Sequence, residues 1–401
     1  MLHRAQGLFR ILVILFVGLA AGCGSGGDSS NAARVQAAVD ASWNAYIKLH
    51  GVPVGGLAVY IDSPAGTYFA SSGMAAGVDQ NTRFRIASNT KTFTAAAIML
   101  LDQQGKLRID DTINSIIPGQ AIPYVPNTAA YDIPYKASIT IRQLLAHTAG
   151  VWDVDNELMP ATCSAPYKGM SYPSYVLATD PTHQFSPDEF AGVDATCQTS
   201  YAAPGAEYHY SDTGYAILAR IIERASGLTY DQFLMQNLIT PNGLSSTSVT
   251  MLGTDQTLPA PFNPGYIYFQ GVTTDATQDN MSMHIGEGNI TSTPVGIARW
   301  VRRLVRGEAG PNAAAVQAMT TPSPQSAATG RNYGLGISYV SGLGYGYTGA
   351  NQGYLSLMVH DPAADVTTIV YFNVWDMANL MTDQMTLLFQ AARDARAVLG
   401  Y

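Results

Sequence analysis

Ser88 and Lys91 stand three residues apart in the run Phe84-Arg85-Ile86-Ala87-Ser88-Asn89-Thr90-Lys91. Phe93, Ala96, Ala97, Leu100 and Leu101 follow at helical spacing, and Gly105 reads as the helix stop. On a helix, residues i and i+3 share a face. The Lys91 amine therefore reaches the Ser88 hydroxyl from one turn below. The first-turn N–H groups and the helix dipole favour negative charge developing there. That pairing describes a serine nucleophile with a lysine partner. Of the five lysines, Lys91 alone has a serine three residues before it. The tetrad alone also fits a surface lysine beside an N-capping serine, so the chemistry depends on partners elsewhere.

Two later stretches supply them. The first is Pro204-Gly205-Ala206-Glu207-Tyr208-His209-Tyr210-Ser211-Asp212-Thr213-Gly214-Tyr215, and the second Gly346-Tyr347-Thr348-Gly349-Ala350-Asn351-Gln352-Gly353-Tyr354. His147, which ends the short helical segment 139–150, is read as bonding the backbone at its turn. A serine with a lysine partner does not need it.

In order, Ser88-Asn89-Thr90-Lys91, Tyr210-Ser211-Asp212 and Tyr347-Thr348-Gly349 resemble the three motifs of one serine hydrolase family. It holds class C β-lactamases, D-alanyl-D-alanine carboxypeptidases and β-lactamase-like esterases. Ile141–Thr148 and Tyr333-Gly334-Leu335-Gly336 support the resemblance, which covers roughly residues 35–395. The Gly-x-Ser-x-Gly signature of a different hydrolase is absent. The resemblance implies an α+β fold, an antiparallel sheet flanked by helices with a mostly helical inserted subdomain. It implies an acyl-enzyme on Ser88, with Lys91 and Tyr210 sharing the proton work. The cation would lower the phenol's pKa and help Tyr210 act as base. Backbone N–H groups of Ser88 and Ala350 would form the oxyanion hole. Asp212, Tyr347, Thr348, Gly349 and Ala350 would bind substrate, and no cofactor or metal is implied.

Two residues depart from the family's motifs. The second motif usually ends in Asn, which donates to a carbonyl; ionised Asp212 only accepts. Beside Lys91, Asp212 favours the ammonium and leaves the base role to Tyr210. It also reads as an N-cap for a helix starting at Thr213. The third motif usually begins with Lys or His, and the neutral Tyr347 offers no charge to a substrate carboxylate. Both changes weaken the fit to D-Ala-D-Ala peptides and penicillins, so an esterase or broad amidase ranks above a D-amino-acid peptidase, and both above a β-lactamase, which would be weak.

Arg4 and Arg10 precede the apolar run Ile11–Ala21, then Gly22-Cys23. This describes a secretory signal over residues 1–22. Leu19–Cys23 resembles a bacterial lipobox, which implies lipidation of Cys23, although Ala20 stands where leucine is usual. Ordinary signal cleavage beside a stray cysteine is the alternative. Residues 23–31 read as a flexible tether. The expected location is the bacterial cell envelope, lipid-anchored and facing periplasm or exterior. In an oxidising compartment the two remaining cysteines, Cys163 and Cys197, are expected to form a disulfide.

The hydrolase domain is expected over 32–401, with an insertion at about 106–310. Residues 32–49 are helix-patterned, and Val54–Ile61 and Thr67–Ser71 form a hairpin around Asp62–Gly66. Residues 151–205 are loop-like, and 213–226 and 230–238 helical. Residues 252–282 are turn-rich, and Gly286-Glu287-Gly288-Asn289 precedes a helix at 294–305. Tyr333–Val340, Tyr354–His360 and Val366–Phe372 are strand-like, and a helix closes the chain at about 377–397. Strands from both ends thus form one antiparallel sheet around a helical middle.

The formal net charge of −8 becomes −10 once the leader carrying Arg4 and Arg10 is removed. Such a surface disfavours nucleic acid. The partners expected are a small-molecule or peptide acyl donor, cell-wall-derived ones included, and a membrane through Cys23. A metal hydrolase has little support, since no His-x-x-x-His pair encloses a Glu. The other reading is a catalytically impaired envelope binding protein that kept the pocket.

Overall fold

The computed structural model describes residues 28–401. The leader, Cys23 and most of the tether lie outside them. Among the described residues no helix is long and apolar enough to cross a membrane. The first helix, α1, spans Ser29–His50. The Asp28 carboxylate accepts the Ser30 N–H and caps it, so Ser29–Asn31 are helical rather than tether. Gly51, at φ +68°, ends it in the left-handed turn that glycine accepts without strain.

Strands β1 (Leu57–Ser63) and β2 (Gly66–Ser72) form the expected hairpin, turning through Pro64-Ala65. The nucleophile helix, α2, covers Thr90–Gln103, and Gly105 follows at φ +68° as its stop. In the middle of the chain, α3 covers Asp212–Ser226 and α4 Pro294–Val305. The chain then returns to strands: β3 (Ser338–Val340), β4 (Gly344–Asn351), β5 (Tyr354–Asp361) and β6 (Val366–Phe372). Helix α5, Met385–Ala397, closes the fold. The six strands make one antiparallel sheet in the order β2-β1-β6-β5-β4-β3. Both ends of the chain contribute, as the strand-like segments require.

Period-two alternation explains how this sheet is covered on both faces. Leu57, Val59 and Ile61 of β1 join Leu355, Leu357, Val370 and Phe372 against Val35, Val39 and Trp43 of α1 and Leu388 of α5. Ala58 and Tyr60, with Met358, Ile369 and Tyr371, face the other way, toward Phe93 of α2 and Trp300 of α4. Phe93 and Trp300 stack at 3.9 Å between centroids, and the Trp300 indole donates to Thr92 Oγ1 at 2.8 Å. Helix α2 is buried from Thr90 to Leu101. It is therefore a central rod rather than an amphipathic surface helix, and its position is fixed on every side.

The middle departs from its sequence reading in three places. Residues 151–205 contain helices at Tyr172–Leu177 and Pro187–Cys197, the latter capped by Ser186. Cys163 and Cys197 are joined in a disulfide across this stretch. Within 252–282, Tyr266–Phe269 and Val272–Asp275 pair as a small antiparallel ribbon. The strand expected over Tyr333–Val340 shrinks to Ser338–Val340, because Gly336, at φ +82°, turns the backbone beside Ala95 of α2.

Candidate active site

Ser88 lies in a 3-10 turn, Ala87–Asn89, that leads directly into α2. Ala87 is fully buried with φ +51°, a conformation alanine rarely adopts. Strain of this kind gathers where the surroundings hold a reactive side chain in place. Asn89 anchors the turn, donating to Ile86 O at 3.0 Å and to Ser356 Oγ of β5 at 2.9 Å.

Strand β4 lies against this turn, and Gly349 makes the approach possible. A Cβ there would stand 2.3 Å from Ile86 O and 2.9 Å from Asn89 Nδ2. The close contact brings Thr348 and Ala350 alongside Ser88, on the strand that the third motif occupies. Gly349→Ala is expected to push β4 off the nucleophile turn. It should cost about 1–3 kcal/mol, the usual range for overpacking, and lower the amplitude of any Ser88 acylation. Urea unfolding and active-site titration check both.

Lys91 and Tyr210 converge on Ser88. Lys91 Nζ donates to Ser88 Oγ at 3.0 Å, and the Tyr210 hydroxyl lies 2.9 Å from the same oxygen. Asp212 Oδ1 pairs with Lys91 Nζ at 2.6 Å. Asp212 is not the helix cap. Ser211, in extended backbone, caps α3 through Oγ to Gly214 N. That frees the Asp212 carboxylate to face Lys91. Its other oxygen accepts from Asn156 Nδ2 at 2.6 Å, and Asn156 also donates to Asp153.

Glu287 is the residue that sequence reasoning missed. Lys91 Nζ contacts its Oε2 and its carbonyl oxygen, each at 3.2 Å. Thr94 Oγ1 of α2 donates to Gly286 O at 2.5 Å and ties the turn down. Gly286 (φ +89°) lies so close to α3 that a Cβ would meet Tyr215 O at 2.5 Å. Behind Glu287, His284 Nδ1 bonds Oε1 at 2.6 Å, and His284 Nε2 faces Asp279 at 3.4 Å. Asp155, His284 and Glu287 lie within 4.8 Å of one another. The 2.6 Å contact between His284 and Glu287 is a hydrogen-bond length, so these side chains bond each other directly. The only signal in the sequence was a charged residue between two glycines.

Charge decides what each group can do. Burial pulls Lys91 down, but Asp212 and Glu287 outweigh it and leave its pKa raised. Lys91 is thus a firm ammonium. Burial pushes Asp212 up, and Lys91 outweighs it, leaving Asp212 lowered and ionised. Tyr210 is pushed well above the ordinary phenol range by burial, then by Asp212, Tyr347 and Glu287. The expectation that a nearby cation lowers this phenol is therefore overturned, because burial disfavours the phenolate and Asp212 and Glu287 offset the charge of Lys91. Burial likewise raises Asp153 to about 7 and Asp155 well above its ordinary value. His284 is raised, since Glu287 and Asp279 outweigh burial.

His147 bonds backbone, as expected, but that of the second-motif stretch rather than of its own turn. Its Nδ1 accepts the Ser211 N–H at 3.2 Å, and burial then Lys91 hold its pKa well below normal. Its ring packs on Tyr210 at 4.6 Å. Tyr347 is nearly buried and packs on Tyr333 at 5.4 Å. With Tyr208 it makes an aromatic wall where the family usually places a cation.

The family model for β-lactamase matches residues 47–392, and the chain belongs to that family. It is similar to a penicillin-binding protein of Bacillus subtilis (strain 168), 31% identical over 172 residues, 42% of this chain. That match spans only 31% of the Bacillus protein's own length. Penicillin-binding protein 4 of Amycolatopsis lactamdurans is 26% identical over 364 residues, 83% of this chain and 84% of that protein. Among solved structures, a D-stereospecific amidohydrolase from Streptomyces sp. superposes with a TM-score of 0.70 at 23% identity. It covers 90% of this chain and 98% of that one, and shares the fold.

Proposed function

We propose that this chain hydrolyses small esters or amides lacking a free carboxylate, through an acyl-enzyme on Ser88. One observation carries the reading: the Ser88 hydroxyl lies within 3.0 Å of both the Lys91 ammonium and the Tyr210 phenol. Ser88 Oγ attacks the acyl carbon as its proton passes by way of Tyr210 to the departing alcohol or amine, and the Lys91 ammonium stabilises the developing charge. The turn and β4 backbones face the developing oxyanion. Water then releases the acid.

Substrate choice follows from Tyr347 and Asp212. A neutral phenol replaces a cation at the position that would meet a substrate carboxylate, and an ionised carboxylate replaces an amide that would donate to a substrate carbonyl. The relatives' names bear on the same question: two are penicillin-binding proteins, and one structural neighbour is a D-stereospecific amidohydrolase. A D-amino-acid amide or ester, which has no free carboxylate, suits this site better than a penicillin. As to place, the lipobox-like Leu19–Cys23 supports a lipid-anchored envelope protein, and the disulfide fits an oxidising compartment.

The test mixes the soluble domain at high concentration with p-nitrophenyl acetate. A burst equal to the enzyme concentration is expected. Across substrates, kcat/KM for neutral esters should exceed that for benzylpenicillin by about 10²-fold or more, the scale on which a mismatched polar group discriminates. Penicillin hydrolysis as fast as ester hydrolysis would contradict the substrate assignment. The absence of a burst and of turnover would favour the binding-protein reading.

A further inference from the structure

The proton that Ser88 must lose has no obvious acceptor in the usual pair. Lys91 is an ammonium between two carboxylates, 2.6 Å from Asp212 and 3.2 Å from Glu287. Tyr210 is a phenol that burial and the same carboxylates keep protonated. Its oxygen nevertheless lies 2.9 Å from Ser88 Oγ, and the Asp212 carboxylate, held 2.6 Å from Lys91, is stabilised in its ionised form by the Tyr210 hydroxyl. We propose that Asp212 is the proton acceptor of acylation, receiving the Tyr210 proton as Tyr210 receives that of Ser88. This rests on the hydrolase reading above.

The balance closes without an ionised phenol. As the Ser88 Oγ–carbon bond forms, the serine proton moves to the Tyr210 oxygen and the Tyr210 proton moves to an Asp212 oxygen. The carbonyl becomes an oxyanion, and Lys91 stays an ammonium. The group Asp212, Lys91 and Glu287 passes from net −1 to neutral while the negative charge appears at the oxyanion. When the C–O or C–N bond breaks, the leaving oxygen or nitrogen takes a proton from Tyr210, which Asp212 restores. Water repeats the cycle in deacylation.

Asp212 suits this role better than Glu287. Glu287 is also held by the charged His284 at 2.6 Å. The remaining partner of Asp212 is the neutral amide of Asn156. An Asn at this position, as the resembling family usually has, could hydrogen-bond but could not accept the proton.

The groups facing Asp212 are Lys91 from α2, Glu287 and the charged His284 from the 281–289 segment, Tyr210 and Tyr208 from the second-motif stretch, and Asp153 and Asp155 after residue 150. His147, Tyr215 of α3 and Tyr347 of β4 complete the surround. Asp153, pushed up to about 7, changes charge in the neutral range and adds a shallow inflection there. It does not add a continuous slope.

The experiment is stopped-flow release of p-nitrophenol from p-nitrophenyl acetate, with Ser88→Ala as the blank. The wild-type acylation rate should stay within about threefold from roughly pH 5.5 to 9, because Asp212 is already ionised throughout. Asp212→Asn should fall by about 10²-fold and then rise about tenfold per pH unit, since only a deprotonated Lys91 or Tyr210 remains as base. Tyr210→Phe should fall comparably, and the double variant no further, as for groups acting in one relay. Should the variants fail to fold, the wild-type profile and its proton inventory in mixed H2O and D2O still decide, with a curved, two-proton dependence expected. A wild-type rate climbing tenfold per pH unit, a linear inventory, an unchanged Asp212→Asn or additive losses would each overturn the proposal. Loss of any Ser88-dependent burst in the wild type would instead fail the hydrolase reading, and this proposal with it.

Discussion

Ser88→Ala is expected to remove ester turnover almost entirely, by about 10⁴-fold or more, with no burst. The size follows from how nucleophile, relay and ammonium act as one unit: deleting the nucleophile costs about as much as deleting them all. Residual hydrolysis should come only from the remaining polar environment. The fold should not suffer. Ser88 is only half-buried, and alanine fits the 3-10 turn. Its hydroxyl accepts one of the bonds of Lys91, but Asp212 and Glu287 continue to hold that ammonium. Urea unfolding should therefore differ from wild type by under about 1 kcal/mol. A variant that keeps a burst would show that another residue is the nucleophile. A variant that unfolds would make its inactivity uninformative.

The parts of this site that were legible in the sequence are those whose spacing is local. Ser88 and Lys91 are one turn apart, and the helix that bears them is set by Phe93 to Leu101. The hairpin of β1 and β2 declared itself by alternation and a turn cluster. The common sheet followed from strand-like runs at both ends. Tyr210 and the third motif came from resemblance, because nothing local predicts that residues 88, 210 and 348 meet. Glu287 was invisible for a related reason. Its part in the site depends on a turn tied to α2 by Thr94, a contact across 192 positions.

Other misses had signals. Ser186-Pro187-Asp188-Glu189 is a good helix start, with a capping serine, a proline in the first turn and two acids. Its position inside a Pro- and Ser-rich stretch obscured it. At Ser211-Asp212 either residue can cap. The backbone chose Ser211, and the consequence is chemical, since a capping Asp212 would not reach Lys91. The sign of the Tyr210 shift was also beyond the sequence. One cation beside a phenol lowers its pKa, but the balance reverses when the phenol is buried and the cation is shared by two carboxylates.

That sharing sets up the second large effect. Lys91→Met should cost about 3–5 kcal/mol near pH 8, the range for stripping the partner from buried charges. Methionine fills the space of the lysine stem, so the loss is electrostatic rather than a cavity. Its pH dependence separates it from ordinary misfolding. In the wild type, Lys91 has a raised pKa, so its contribution is complete at neutral pH and is lost only in strong alkali. Asp212 has a lowered pKa, so its contribution is lost only in acid. Neither changes between roughly pH 5 and 8. Without Lys91, burial is left unopposed and lifts the Asp212 carboxyl above its unfolded value. The native variant then binds more protons than the unfolded chain across that window, and its stability rises as pH falls. The deficit against wild type should therefore shrink by several kcal/mol from pH 8 to 5 in urea unfolding. A deficit that stayed constant with pH would mean that Asp212 is not charged beside Lys91, and the account of the proton relay would lose its premise.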